Sequence, residues 1–327
     1  MTSTSMNNLY NQLNQVGIKK AFAKKIFPDW WDDSIASDEA GLQQAHLYVS
    51  RAFNIELASL EKTNLVPSFR QVEHKFKLNS NVTVEDVSVG AHYVTAIAKL
   101  ALKAIHTTSL AVIKDPAELR AHILKTSQFV NLNSLLGYCS EIGIPVLHIE
   151  KLPSKKMIGL AIRIDGKYAI VLSKKAHPAY LLFHLAHELG HIAKGHLTKD
   201  GFIADTKIGS NNTNDADEKE ADAYAIRLLN GAEVQYTTQG KLASGIQLYV
   251  AALAKAESIQ VDVGHIILNF ANTNKCFPLA NIALKHLPGS DSGADVVNKA
   301  LFKTLNHELL SDDQLQLLVT ATGYQLV

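Results

Sequence analysis

Cysteine is nearly absent: Cys139 and Cys276 are the only two in 327 residues, far apart and in no C-x-x-C pair. That argues against a disulfide framework and favours a reducing compartment. Long apolar runs are absent too. The most apolar window, AHYVTAIAKLALKAI, is broken by Lys99 and Lys103 well short of a bilayer span. The opening MTSTSMNNLYNQLNQ has no apolar core and no small-residue cleavage site, so a cytoplasmic protein without membrane contact is expected. In that setting the N-x-T triplets at Asn81 and Asn211 carry no meaning. A large excess of charge of either sign is missing as well. The formal net charge is +1, too balanced for a chain whose main work is gripping nucleic acid or an anionic surface. No Gly-rich phosphate loop and no repeat of fixed period appear.

What the chain does have is a large apolar fraction, 47 % against 19 % charged, enough for a sizeable core and for two or three domains. The first 110 residues read as helices, among them NNLYNQLNQVG, DEAGLQQAHLYVSRAFNI and SVGAHYVTAIAKLALKAIHTT. FRQVEHKFKL alternates and suits an extended segment. After DPAELRAHILKTS and LNSLLGYCSEIG, both helical in pattern, the character changes. PVLHIEKL is a short β-rich run, and GLAIRIDGKYAIVLSKK is two strands around Asp165-Gly166, a hairpin signal. His177-Pro178 then opens a helix that Gly195 closes. TKDGFIADTKIGSNNTNDADE reads as a polar loop, followed by a helix capped by Asn214, Asp215 or Asp217. From Ala232 to Val327 the chain reads as helices again, with PGSDSGAD the clearest link. Three domains are expected, at 1–110, 111–231 and 232–327.

The helix after His177 holds H-E-x-x-H: His187, Glu188 and His191. One turn apart, His187 and His191 converge on one ion, and Glu188 lies a quarter-turn away, where it can hold an attacking water. A catalytic zinc takes a third protein ligand and leaves one position open. The metzincin continuation needs Gly at 194 and His at 197. This chain has Lys194 and Leu197, with Gly195 and His196 displaced by one. A glutamate from a second helix is the other solution, and EKEAD offers Glu218, with Glu220 the alternative. Asp222 shares a face with Glu218 and is placed to orient a ligand histidine. His184 and Tyr224 are the remaining candidates near the site, each considered as an oxyanion partner, and His184 as a packed histidine.

LAHELGHIAKGH followed by EKEADAYAIRLL resembles the ImmA/IrrE metallopeptidases, over roughly Pro116 to Gly231. The resemblance implies zinc on His187, His191 and Glu218, one ion per chain, and a base role for Glu188 in peptide hydrolysis. It implies an α+β, mostly helical fold, with a zincin-like core and a small sheet between helical N- and C-terminal domains. It also implies a regulatory protease acting on a helix-turn-helix transcriptional repressor, in response to stress, DNA damage or phage. The chain departs from the family in having Asp222 where asparagine is common, and in a helical C-terminal part where radiation-response members carry a GAF-like domain.

The rival reading is a regulatory protein that binds DNA or a repressor around a structural or vestigial metal site. Its carriers are Lys19, Lys20, Lys24 and Lys25, clustered in KKAFAKK, within a degenerate helix-turn-helix over residues 5–60 that would make weak DNA contact. The tryptophans of PDWWDD are expected to pack between helices.

Overall fold

A computed structural model describes residues 4–62, 65–71, 73–77, 83–106, 111–154, 157–174, 176–205, 215–238, 240, 242, 244–289 and 292–325. The first third runs through α1 (Thr4–Gln15), α2 (Lys20–Ala23), α3 (Glu39–Phe53), α4 (Leu57–Leu60), strand β1 (Glu73–Lys77) and α5 (Val84–Ala104). Next come α6 (Pro116–Ile123), α7 (Leu132–Glu141), β2 (Val146–His148), the hairpin β3 (Gly159–Ile164) and β4 (Lys167–Leu172), α8 (Pro178–Ala193), β5 (Gly201–Asp205) and α9 (Ala216–Asn230). The last part is α10 (Gly245–Ile259), α11 (Val263–Asn274), α12 (Phe277–Leu284), α13 (Gly293–Thr304) and α14 (Asp312–Thr322). The α+β, mostly helical expectation holds.

Local chemistry accounts for most boundaries. Thr83 and Asp86 cap α5 reciprocally, as Asn131 and Ser134 cap α7 and Ser311 and Gln314 cap α14. Pro178 occupies the first turn of α8, where a missing N–H costs nothing. Asp165 and Gly166 both take positive φ, the conformation a tight two-residue hairpin requires.

The five strands form one mixed sheet in the order β1-β5-β3-β4-β2. β3 is antiparallel to both β4 and β5, while β1 lies parallel to β5 and β2 parallel to β4. Side chains alternate between faces with period two. Leu160, Ile162, Ala169, Val171, Phe202 and Ala204 enter a core shared with α1, α3, α5 and the end of the chain. Ala161, Ile170, Leu172 and Ile203 enter a second core with α6–α9. With both faces covered, the strands read as almost unbroken apolar runs.

The polar-loop reading of residues 198–218 missed β5. Its GFIAD sequence is short and flanked by polar residues, and it becomes a strand because β3 and β1 both pair with it. Packing also crosses the expected domain boundaries. β1, from the first third, completes the sheet beside β5. Leu301, Phe302, Leu305, Leu318 and Ala321 of the last helices pack into the core of the first third, whereas α10–α12 form their own cluster around Leu248, Ile267 and Ala280. Asn298 ties α13 to β2, donating to the His148 carbonyl at 3.0 Å and accepting from its N–H at 2.8 Å.

Candidate metal centre

α8 lies on the second face of the sheet, and α9 packs beside it. The two helices approach closely because Gly190 meets Ala221: a Cβ at 190 would stand 3.1 Å from the Ala221 Cα and carbonyl oxygen. Asp215 caps α9, and Gly231 closes it in the left-handed conformation. Asp217 and Glu218 therefore sit in the first turn, where the helix dipole favours acids.

This geometry brings four buried groups together. His187, His191, Asp205 and Glu218 each offer one ligand atom, all within 4.8 Å of one another. His187 Nε2 lies 3.1 Å from His191 Nε2, 3.1 Å from Asp205 Oδ2 and 3.5 Å from Glu218 Oε2. Glu218 Oε1 lies 3.3 Å from His191 Nε2. Nitrogen and oxygen ligands at the usual zinc distances stand about 3.3–3.5 Å apart around a tetrahedral centre, so these spacings suit one ion.

The outer hydrogen bonds agree. His187 Nδ1 is 2.8 Å from Asp222 Oδ1. His191 Nδ1 is 2.8 Å from His196 Nδ1, and His196 Nε2 is 3.1 Å from Glu220 Oε2. If each Nδ1 of the pair carries its proton outward, both Nε2 lone pairs face the two inner carboxylates. Four acceptors aimed at one buried point call for a cation. Burial works against a charged His187, but hydrogen bonds to Asp205, Asp222 and Glu218 outweigh it and hold its pKa well above the ordinary histidine value. Two imidazoles and two carboxylates are a donor set that zinc accepts.

Glu188 is fully buried beside them on α8. Its carboxylate lies against β3 at Gly159, where a Cβ would stand 2.1 Å from Oε1. Only a glycine leaves that space.

Of the two glutamates weighed as third ligand, Glu218 points into the cluster. Glu220 is exposed, and its carboxylate pairs with His196 and Lys194 instead. Asp222 stands where an orienting carboxylate is expected. His184 is buried but makes none of the cluster's contacts. Its Nδ1 has no partner among the described residues, and burial pushes its pKa down to about 3. The oxyanion suggestion for Tyr224 fails on geometry: its hydroxyl donates to the Ile113 carbonyl, on the α6 side, and its ring fills the second core.

Asp205 went unnoticed in the sequence. It follows the H-E-x-x-H helix by no recognisable spacing, and the strand that positions it lies in a stretch with the composition of a polar loop. A faint signal existed in the apolar run Phe202, Ile203 and Ala204, which as a strand of period two places residues 203 and 205 on one face.

Residues 139–232 match the family model of the IrrE N-terminal-like domain, a peptidase family. The ImmA/IrrE resemblance is thereby borne out over β2 to α9, the segment that carries His187, Glu188, His191, Asp205 and Glu218. The IrrE-like match supports a metallopeptidase-type enzyme acting on protein. No curated protein and no solved structure matches the chain. No helix among the described residues is long and apolar enough to cross a membrane.

The four lysines fall elsewhere. α2 is a single turn and runs into a 3₁₀ turn at Lys24–Ile26, which leaves no recognition helix there. Lys20 donates to Asn7 and covers the Tyr10 ring, and Lys24 pairs with Asp33. Trp31 stacks on Phe27, and Trp30 donates to Asp313 at the start of α14, so the tryptophans join the two ends of the chain.

Proposed function

We propose that the chain is a zinc-dependent endopeptidase, with His187, His191 and Glu218 as metal ligands and Glu188 as the general base. The observation that carries this is the convergence of two histidines of α8 and one glutamate of α9 at a buried point beside Glu188. Zinc, when bound, acidifies water and polarises a scissile carbonyl. Glu188 accepts the water's proton and returns it to the leaving amine. Asp222 orients His187 through Nδ1, and His196, braced by Glu220, does the same for His191. The acting unit is larger than residues 111–231, because β1 and α5 support the sheet from its other side.

In this reading the substrate is a transcriptional repressor of the helix-turn-helix class, cut in the cytoplasm in response to stress, DNA damage or phage. One observation favours the rival, a binding protein with a structural ion: a fourth protein group, Asp205, stands in the cluster, and structural zinc sites are four-coordinate. Glu188→Gln separates the two. The peptidase loses cleavage of repressors offered as substrates and keeps one zinc per chain by mass spectrometry. Processing that survives the substitution sinks the peptidase reading, and a zinc-free wild type sinks both metal readings.

A further inference from the structure

Catalytic zinc sites take three protein ligands and keep one position open for water or substrate, whereas four protein groups converge on the cluster here. Asp205 Oδ2 lies 3.1 Å from His187 Nε2 and 3.9 Å from His191 Nε2, inside the same shell as Glu218. The side chain is fully buried, and its second oxygen, Oδ1, has no hydrogen-bond partner among the described residues. A buried carboxylate held by so little besides the cluster histidines is aimed at a cation.

The backbone explains the aim. Asp205 is the last residue of β5, opposite Gly159 on β3 and Lys77 on β1, and its carbonyl accepts from the Ile158 N–H at 2.6 Å. Period two places it on the face of Ile203, under α8. Charge gives the reason to stay. Asp205 and Glu218 together neutralise a divalent ion, whereas Glu218 alone leaves a net positive buried centre.

We propose that Asp205 is an internal fourth ligand that closes the centre and holds the peptidase latent. Catalysis then requires the Asp205 carboxylate to withdraw from the ion. Activity in this protein is gated at the metal itself. The proposal rests on the metallopeptidase reading above.

The test uses the full chain loaded with cobalt(II) in place of zinc, whose visible absorption reports coordination, and acetohydroxamate as an anionic probe of an open position. Asp205→Asn keeps the side chain's shape, and Asp205→Ala removes it; thermal melts establish that each folds. The wild type is expected to hold one cobalt per chain, with a band that acetohydroxamate leaves unchanged. Both variants are expected to show an altered band that the probe shifts further, and to bind cobalt about tenfold or more weaker. Cleavage of denatured casein by the zinc form of Asp205→Asn is expected to rise about tenfold, the gain from freeing a centre closed nine times in ten. Variant bands identical to the wild type's overturn the proposal, as does a wild-type band that shifts at the probe concentration that shifts the variants'. Probe admitted by the variants without any gain in cleavage overturns latency. A wild type that takes up no cobalt overturns the metallopeptidase reading itself, an outcome distinct from the others.

Discussion

α8 packs against α7, α9, α11 and α13, and its seams with α9 and α11 both bury histidine. Along α9 it sets His187 and His191 among Asp205, Glu218 and Asp222. Along α11 it sets Phe183 beside His265, rings 6.4 Å apart and nearly parallel, with Gly264 against Ala179 so closely that a Cβ at 264 would meet the Ala179 Cβ at 2.6 Å. In the second seam burial acts unopposed: both ring nitrogens of His265 lack a partner among the described residues, and its pKa falls to about 4. In the first, carboxylates reverse that direction. Equal burial gives an inert neutral ring on one side and a seat for a cation on the other. The difference lies in the acids that α9 and β5 bring, and burial by itself marks no site.

The sharpest way to break the comparison is at the ligands. His191→Ala is expected to abolish metal binding and cleavage together, while His265→Phe, which keeps the stack, leaves one metal per chain by mass spectrometry. Glu188→Gln is expected to keep the metal and lose about 10²–10⁴ in turnover, read by steady-state kinetics. Next comes the approach of the helices. Gly190→Val thrusts a branched side chain at the Ala221 backbone and is expected to cost about 1–3 kcal/mol in urea denaturation, lowering metal affinity with it. Asp222→Asn takes a charge from behind His187 and is expected to weaken zinc about 10–100-fold by competition with a chelator, with the melting temperature nearly unchanged.

A smaller effect is expected from pH. His184 and His265 have folded pKa values of about 3 and about 4, below the unfolded value of 6.5. As pH falls from 6.5 towards 4 the unfolded chain takes up these protons first, so stability declines across that window. The melting temperature of the metal-free protein should fall there, and His265→Phe should flatten the fall. A flat wild-type profile would remove the contrast between the seams. The smallest effect belongs to Lys75→Ala, which breaks an exposed pair with Asp217 at 3.0 Å and is expected to change stability by less than about 1 kcal/mol.

Much of the site was legible from residue spacing. His187, Glu188 and His191 announce themselves because a helix has one period, and EKEAD places Glu218 and Asp222 on one face for the same reason. The choice between Glu218 and Glu220 was not legible, since both stand near the start of α9 and only the rotation of that helix against α8 selects one. Asp205, and the pairing that turns the extended segment around Glu73–Lys77 into β1, were illegible for a stronger reason. A strand of five residues gains its identity from partners: β5 pairs with β3, some 40 residues earlier, and β1 joins it from some 130 residues away. Nothing within GFIAD encodes those pairings.

The chain by itself determined the helices that became α8 and α9, the turn at Asp165-Gly166, the apolar runs of the hairpin strands, and two of the four groups at the centre, His187 and His191. These are local matters of capping, φ preference and periodicity, settled within a few residues. Tertiary structure decided which glutamate turns inward, that Asp205 stands fourth among the acceptors, and that the first and last helices share one core. Those depend on the contact of surfaces distant in sequence, whose free energy no local pattern records.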